Sequence, residues 1–204
     1  MVRIEPRQIY RRDMLIGFTG RKGAGKDTAA SFLIEQGYAR IAFADKLKEA
    51  VANLLDMPTQ EVDSFKNDGW LTIRRPGTYP ETMDGREFLQ RFGTEMGRNT
   101  FGQNFWIDQW QDTYTALSVM EPDKFHTGVV VTDVRFTNEA LAIHQAGGYI
   151  IDIARSGYEP DGHASEEPLP SNIIDAYILN DGSLEDLREK VFATIYGLEI
   201  GVVG

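Results

Sequence analysis

The chain has 204 residues, which is long enough for one compact domain with a full hydrophobic core. Its net charge of -10 argues against a broad nucleic-acid-binding surface, which needs an excess of positive charge. It contains no cysteine, which excludes disulfides and thiolate sites, and it has neither a membrane-spanning apolar run nor a signal-peptide pattern. We therefore expect a cytoplasmic protein without a stable nucleic-acid or membrane partner.

Residues 1–13 differ from the rest of the chain because they carry four arginines and only two acidic residues. The first predicted strand begins at Met14, so this basic segment is interpreted as an N-terminal extension. It is either an arm that contacts nucleic acid or a frayed end without a partner. Residues 14–204 are expected to form one domain.

Short apolar segments alternate with helical patterns, which is typical of βαβ units and a parallel sheet. The interval 45–126 has no convincing strand and is predicted to be a mostly helical insert. In that insert Asp84 and Glu87 predict a capping box, and Asn104 is expected to start a further helix. Five segments predict the strands of one sheet, at 14–19, 38–43, 127–132, 149–154 and 176–179. Helices are predicted over 25–36, 45–55 and 139–146 and after a cap at Ser183, and the segment 155–171 is predicted to be a lid.

The segment GRKGAGK at residues 20–26 fits the phosphate-loop pattern G-x-x-x-x-G-K. A predicted strand precedes it and a predicted helix follows it, as the pattern requires. The glycines allow backbone N–H groups to wrap a phosphate, and the helix N-terminus adds the positive end of its dipole. Lys26 is expected to reach the β- and γ-phosphates. The alternative is a glycine-rich turn without a ligand.

Asp27 stands where the generic pattern has a serine or threonine that binds Mg²⁺. A carboxylate beside a triphosphate is tolerable only with a cation between them, so Asp27 is predicted to meet Mg²⁺ directly or through its water shell. Asp133 ends a buried strand and is the second expected ligand. The alternatives are a first-turn helix acid for Asp27, and an ion pair at a helix start for Asp133, Arg135 and Glu139.

The helical segment 85–98 carries Arg86, Gln90, Gly93 and Gly97 on one face, at steps of four, three and four. Each glycine inside a helix costs about 1 kcal/mol relative to alanine. The two glycines therefore indicate that something approaches the backbone closely. It is either another helix or a ligand flanked by Arg86 and Gln90.

Three other groups of residues stand out along the chain. Arg155 leaves a predicted strand and enters the lid, where it is either a cation that stabilises a transferring phosphoryl group or a solvated surface residue. Trp106 and Trp110 lie one helical turn apart and predict core rather than a stacking platform. His126 and His144 show no partner pattern and are interpreted as surface or satisfied side chains.

Six motifs resemble the bacteriophage deoxynucleoside monophosphate kinases, within the P-loop nucleoside monophosphate kinase superfamily. They are GRKGAGKDT, FADKLKEA, RxxLQRFGTE with a tryptophan thirteen residues beyond Gly93, TDVRFTNEA, HASE and NDGSLEDL. The resemblance covers nearly the whole chain from Met14. Aspartate after the loop lysine occurs in that family, whereas Ala24 stands where the family often has serine, so one hydroxyl contact is in doubt.

The resemblance implies an α/β P-loop fold with strand order 2-3-1-4-5, and ATP- and Mg²⁺-dependent conversion of deoxynucleoside monophosphates to diphosphates. Lys26, Arg135 and Arg155 are the implied catalytic cations. The residues implied at ATP are Gly20, Arg21, Lys22, Gly23, Ala24, Gly25, Lys26, Asp27, Thr28, Asn180 and Gly182. Those implied at the monophosphate are Lys48, Arg86, Gln90, Gly93, Thr94, Trp106, Asp133, Arg135 and Glu139.

Two rival functions stay open at this point. One is another small-molecule kinase, acting on dephospho-coenzyme A or a phosphorylated mevalonate. Two groups of residues argue against it: the helix face with Arg86, Gln90 and Gly93, and the group of Asp133, Arg135 and Glu139. The other is a non-catalytic nucleotide-binding module, which would need a guanine-reading N-K-x-D stretch that the sequence lacks. The accepted bases, the choice between ribose and deoxyribose, and a homodimer also stay open.

Overall fold

The computed structural model describes residues 14–120, 128–156 and 168–202. They divide into two compact units, one of the described residues within Met1–Ala42 and Thr113–Gly204 and the other of Phe43–Asp112. Within the described ranges no helix has the length and apolar character needed to cross a membrane.

The elements alternate between strands and helices along most of the chain. In chain order the strands are β1 (Met14–Thr19), β2 (Ala39–Ile41), β3 (Trp70–Ile73), β4 (Glu81–Asp84), β5 (Gly128–Val131), β6 (Tyr149–Ala154) and β7 (Ala176–Leu179). The α-helices are α1 (Lys26–Glu35), α2 (Asp45–Leu54), α3 (Val62–Asp68), α4 (Gly85–Arg91), α5 (Asn99–Phe101), α6 (Phe105–Met120), α7 (Thr137–Gln145) and α8 (Leu184–Glu199). A π-helix covers Phe92–Arg98, and short 3₁₀ turns cover Thr59–Glu61 and Ser171–Ile173.

The first unit contains a five-stranded sheet in the order β2-β5-β1-β6-β7. All of its neighbouring strands pair in parallel. Counted along the chain among these five strands alone, this is the expected order 2-3-1-4-5, so the predicted α/β architecture is confirmed. The strands β1, β6 and β7 have the predicted bounds, whereas β2 is shorter than the predicted 38–43.

Helices cover both faces of this sheet. On one face, Ile16 and Phe18 of β1 join a buried cluster with side chains of α1 and α8. On the other face α7 packs closely, because a Cβ on Gly17 would lie only 2.7 Å from Cδ1 of Ile143. The central strands are therefore buried on both sides, which explains why they are nearly continuous apolar runs.

The second unit contains an antiparallel hairpin of β3 and β4, with register from Trp70 opposite Asp84 to Ile73 opposite Glu81. The expectation that the interval 45–126 has no strand was therefore wrong. The sequence of β4 hides the strand, because Glu-Thr-Met-Asp buries only Met83 and acidic residues are depleted in strands. The predicted loop at 76–80 lies in the hairpin connection.

The helices of the second unit pack around Val51, Ala52, Val62 and Leu89. Asp84 caps α4 as predicted, because its Oδ1 accepts a hydrogen bond from the backbone N–H of Glu87 at 2.8 Å. The helix predicted to start at Asn104 is α6.

Candidate active site

The loop between β1 and α1 has the backbone conformation of a phosphate cradle. Gly20, Gly23 and Gly25 have φ values of 129°, 78° and 108°, in the left-handed region that glycine adopts most easily. Steric closeness adds to the requirement, since a Cβ on Gly20 would collide with the carbonyl oxygen of Ile153. The glycine spacing noted in the sequence thus corresponds to a real backbone constraint, as a strand-to-helix phosphate loop demands.

Lys26 is the first residue of α1, and its ammonium lies against the loop. Its Nζ donates hydrogen bonds to the carbonyl oxygens of Gly20 at 2.6 Å and Arg21 at 2.8 Å. The charge is therefore held beside the backbone that would wrap a phosphate.

Asn180 follows β7 and holds the phosphate loop. Its Nδ2 donates to the carbonyl oxygen of Ala24 at 2.8 Å, and its backbone N–H donates to Ala154 at 2.7 Å. A Cβ on Gly25 would lie 2.5 Å from the same Nδ2, so this position needs glycine for its contact as well as its φ angle. Ala24 is buried in the core of the unit, which leaves its side chain facing away from solvent.

Two predicted metal ligands lie at the carboxyl edge of the sheet or just beyond it. Asp133 follows β5 and is half-buried. The next residue, Val134, holds this segment beside β1, because its backbone N–H donates a hydrogen bond to the Phe18 carbonyl oxygen at 3.3 Å. Asp27 is exposed in the first turn of α1. In the ranges that the structure describes, no group of three or more histidine, cysteine or acidic residues is arranged to hold a metal. The donor set fits Mg²⁺, which takes one or two carboxylates with phosphates and water.

Glu139 is buried, and its carboxylate shapes the turn that carries Arg135. Its Oε2 accepts hydrogen bonds from the backbone N–H groups of Arg135 at 2.9 Å and Phe136 at 3.1 Å. Sequence reasoning missed this role, although a glutamate three residues after a helix cap was the available signal. The bonds place Glu139 beneath the loop that presents Arg135, whose own side chain is exposed.

Asp152 in β6 was also missed. It pairs with Thr19 across the β1–β6 register, and its Oδ1 would lie 3.2 Å from a Cβ on Gly20. Burial raises the pKa of the Asp152 carboxyl above its ordinary value, while the charges of Lys26 and Arg21 oppose that rise. An acid within the apolar segment Tyr149–Ala154 was the signal in the sequence.

Helix α3 contacts two cations predicted for the monophosphate site. Lys48 Nζ forms an ion pair with Asp63 Oδ2 at 2.8 Å, and Arg86 Nη2 donates to Asn67 Oδ1 at 3.4 Å. Both contacts lie within the second unit. Gln90 and Thr94, which were predicted for the same site, are exposed.

Trp106 occupies the space that the helix glycines leave. Its Nε1 donates to the Gly93 carbonyl oxygen at 2.8 Å, and a Cβ on Gly97 would collide with the same nitrogen. Close packing against a neighbouring helix thus accounts for Gly97. The prediction that Trp106 and Trp110 belong to the core is confirmed, since they are 7% and 2% exposed.

The expectation of one continuous α-helical face over residues 85–98 was wrong in detail. The α-helical period ends at Arg91, and the π-helix Phe92–Arg98 replaces it. Gly93 and Gly97 therefore do not continue the α-helical spacing of Arg86 and Gln90.

At the start of the predicted lid, Ser156 donates from its backbone N–H and its hydroxyl to the two oxygens of Asp181, each at 3.0 Å. Arg155 beside it is exposed.

His144 is satisfied, as expected, by Asp175 Oδ2 at 2.8 Å. The extension 1–13, His126 and most of the lid, including the HASE motif, lie outside the described residues.

Solved structures share the fold at low sequence identity. Dephospho-CoA kinase from Campylobacter jejuni superposes with a TM-score of 0.52 over 92% of this chain and 98% of its own, at 14% identity. A Thermus thermophilus protein, TT1252, gives the same TM-score over 92% of this chain and 99% of its own, at 17% identity. These similarities show the fold alone.

Sequence comparisons show the family. The family model for deoxynucleotide monophosphate kinase matches residues 78–191, more than half of the chain. A protein of Acanthamoeba polyphaga mimivirus, provisionally named as that kinase, is 35% identical over 89% of this chain and 96% of its own. The deoxynucleotide monophosphate kinase of Enterobacteria phage T4 is 33% identical over 54% of this chain and 44% of its own. The chain therefore belongs to the deoxynucleotide monophosphate kinase family and is a kinase.

Proposed function

We propose that this kinase transfers the γ-phosphoryl group of ATP to a deoxynucleoside monophosphate, with Mg²⁺ bound to the nucleotide. The observation that carries the proposal is the phosphate loop, where three left-handed glycines lie between β1 and α1 with the Lys26 ammonium beside them. Membership of the family supplies the acceptor class.

The donor phosphates would be held by loop N–H groups and the N-terminus of α1. Lys26 would exchange its two carbonyl partners, Gly20 and Arg21, for the β- and γ-phosphate oxygens. The exchange replaces two neutral acceptors with charged ones, which adds Coulomb attraction between the ammonium and the phosphate oxygens. Arg21, Lys22, Thr28 and Gly182 stay predicted contacts of the same ligand.

Asp27 and Asp133 would hold Mg²⁺, which supplies neutralisation of phosphate charge. Glu139 would keep the turn in place that presents Arg135 to the transferring group. Arg155 would approach from the lid, for which residues 155–171 stay the predicted segment.

The acceptor phosphate would be bound by Lys48 and Arg86. Each cation has a partner on α3 that an incoming phosphate can replace, Asp63 for Lys48 and Asn67 for Arg86. Trp106 would act as a positioning residue, because its N–H is already bonded to Gly93 and its ring is buried.

The chemistry needs no general base, because a phosphomonoester already carries nearly two negative charges at pH 7. The attacking oxygen is therefore a ready nucleophile. Catalysis then consists of bringing it in line with the γ-phosphorus and of stabilising charge. Cations, rather than a proton-transfer residue, are expected to dominate the reaction.

The test is a panel of deoxy- and ribonucleoside monophosphates with Mg²⁺ and ATP, in which ADP release is followed. Dephospho-coenzyme A and a phosphorylated mevalonate are included as competing acceptors. We expect turnover with at least one deoxynucleoside monophosphate and a rate at least about a hundredfold lower for Lys26→Met. ATP binding without turnover of any acceptor would instead indicate a binding module, and near-normal turnover by Lys26→Met would remove the loop from the catalytic machinery.

A cytoplasmic location, the absence of a stable nucleic-acid partner and a homodimer stay predictions. Gel filtration with light scattering tests the homodimer directly.

A further inference from the structure

Asp152 is an ionisable residue in a strand that is otherwise apolar or aromatic. Its neighbours Ile151 and Ile153 are fully buried, whereas Asp152 itself is half-buried. Placing a carboxylate there opposes folding unless the charge is compensated. Within the described ranges, no hydrogen bond or ion pair of the Asp152 side chain joins it to another residue. Its position therefore calls for an explanation beyond local stability.

The carboxylate of Asp152 faces the phosphate loop. Its Oδ1 would lie 3.2 Å from a Cβ on Gly20, and the carbonyl oxygen of the same glycine accepts the 2.6 Å bond from Lys26. The carboxylate and the ammonium thus adjoin one residue of the cradle. The charges of Lys26 and Arg21 lower the pKa of Asp152 and so oppose the larger effect of its burial.

The charges around the loop create a selection problem. Lys26, Arg21 and the N-terminus of α1 together attract any polyphosphate, with or without a metal ion. Only the Mg²⁺ complex is the useful donor, because the metal neutralises charge during transfer. Mg²⁺ also cancels part of the negative charge of ATP, so a nearby carboxylate repels free ATP more strongly than the complex.

We propose that Asp152 is a specificity-determining residue that makes the phosphate site prefer Mg²⁺-complexed ATP to metal-free ATP. The inference rests on the proposed function, because it assumes that the loop binds ATP. It concerns the charge of Asp152 and assigns no metal ligand.

The experiment measures equilibrium ATP binding by calorimetry without any acceptor, once in excess Mg²⁺ and once in excess EDTA. Asp152→Asn keeps the shape of the side chain and removes the charge. We expect metal-free ATP to bind about tenfold more tightly to this variant, while the Mg²⁺ complex changes by no more than about twofold. The preference of the protein for the complex therefore falls by about tenfold.

Glu35→Gln is the matched control. It removes one negative charge at the other end of α1, a ten-residue helix about 15 Å long. That distance exceeds the screening length of about 8 Å at physiological ionic strength, so both affinities should stay at the wild-type values. Asp152→Thr provides a second neutral variant with a good strand former, and it should reproduce the Asn result if charge is the cause.

Three outcomes would overturn the inference. They are an equal change of both affinities, no change of either, and loss of binding of the Mg²⁺ complex in a variant whose melting temperature is unchanged. The failure of the proposed function looks different, since the wild-type protein would then bind neither form of ATP. If the wild-type protein binds and turns over ATP and the Asp152→Asn variant has the same two affinities, only the inference about Asp152 is rejected.

Discussion

The side-chain amide of Asn180 donates a hydrogen bond to the carbonyl oxygen of Ala24, joining the end of β7 to the phosphate loop across 156 residues of sequence. The bond ties the loop to the neighbouring strand connection instead of leaving its shape to the glycines. Gly25 also approaches the same amide closely, so the conformation of the phosphate loop depends on the position of β7 in the sheet.

Asn180→Ala should therefore loosen the phosphate loop. Relative to wild type, we expect the KM for ATP to rise more than the KM for the monophosphate. We also expect a loss of about 1–3 kcal/mol in the free energy of unfolding, because a part-buried carbonyl loses its hydrogen-bond donor. Steady-state kinetics and urea titration measure the two effects. Asn53→Ala on the exposed surface of α2 is the control. Unchanged kinetics with only lower stability would restrict Asn180 to a packing role.

The central strands of the sheet could be predicted from sequence because most of their residues are buried on both faces. MLIGFT, YIIDIA and AYIL are apolar runs of strand length, and their observed bounds match the expectation. The hairpin could not be predicted in this way, since only Met83 of β4 is buried. The π-helix after α4 has no distinctive sequence pattern, and it changes which side chains share a face.

The residues of the site also differ in whether the sequence alone predicts them. The loop glycines and Lys26 are local in sequence, so a spacing pattern finds them. The contact of Asn180 with Ala24 and the proximity of Asp152 to Gly20 join residues more than a hundred positions apart, and only the sheet order brings them together. Spacing arguments cannot identify such contacts.

Trp106→Phe tests whether the indole positions the helix that carries Gly93. An aromatic ring is retained, but the pyrrole part of the indole and its buried bond to the Gly93 carbonyl are lost. We expect a loss of about 1–3 kcal/mol in unfolding free energy and a rise in KM for the monophosphate larger than that for ATP. Trp70→Phe is the matched control, because Trp70 is 71% exposed. Equal changes in both KM values would argue against a role at the acceptor.

Arg86→Ala tests the acceptor site. Arg86 contacts Asn67 and is proposed to exchange that contact for the acceptor phosphate. Charged hydrogen bonds contribute about 1.5–3 kcal/mol, so KM for the monophosphate should rise about tenfold or more while KM for ATP stays nearly constant. Arg91→Ala removes a cation from the same helix that pairs with Glu87 and Glu95, and it should leave both constants unchanged. A matching effect of the two variants would contradict the assignment.

The cap of α8 predicts a pH dependence of stability. Hydrogen bonds from the backbone and hydroxyl of Ser183 hold the pKa of Asp186 below its ordinary value. The carboxylate form thus stabilises the fold fully above the unfolded-state pKa, about 3.9, and this contribution disappears as pH falls through the lower folded value. Asp186→Asn should flatten this part of the acid-stability curve, measured by urea titration between about pH 2 and 5. Glu189→Gln on the same helix is the control, and an identical curve for Asp186→Asn would exclude the cap as the source.

Asp27→Asn separates a metal role from a helix role. Asp27 is exposed in the first turn of α1, where an acid would contribute about 0.3–1 kcal/mol through the helix dipole alone. If Asp27 meets Mg²⁺ or its water shell, the neutral variant should need several times more Mg²⁺ for half-maximal turnover, while its melting temperature changes little. The exposed Asp108 occupies the first turn of α6, so Asp108→Asn removes a comparable first-turn acid and should leave the Mg²⁺ titration unmoved. Lower stability of Asp27→Asn with an unmoved Mg²⁺ titration would instead assign Asp27 to the helix start, and the metal would then depend on Asp133 and the phosphates.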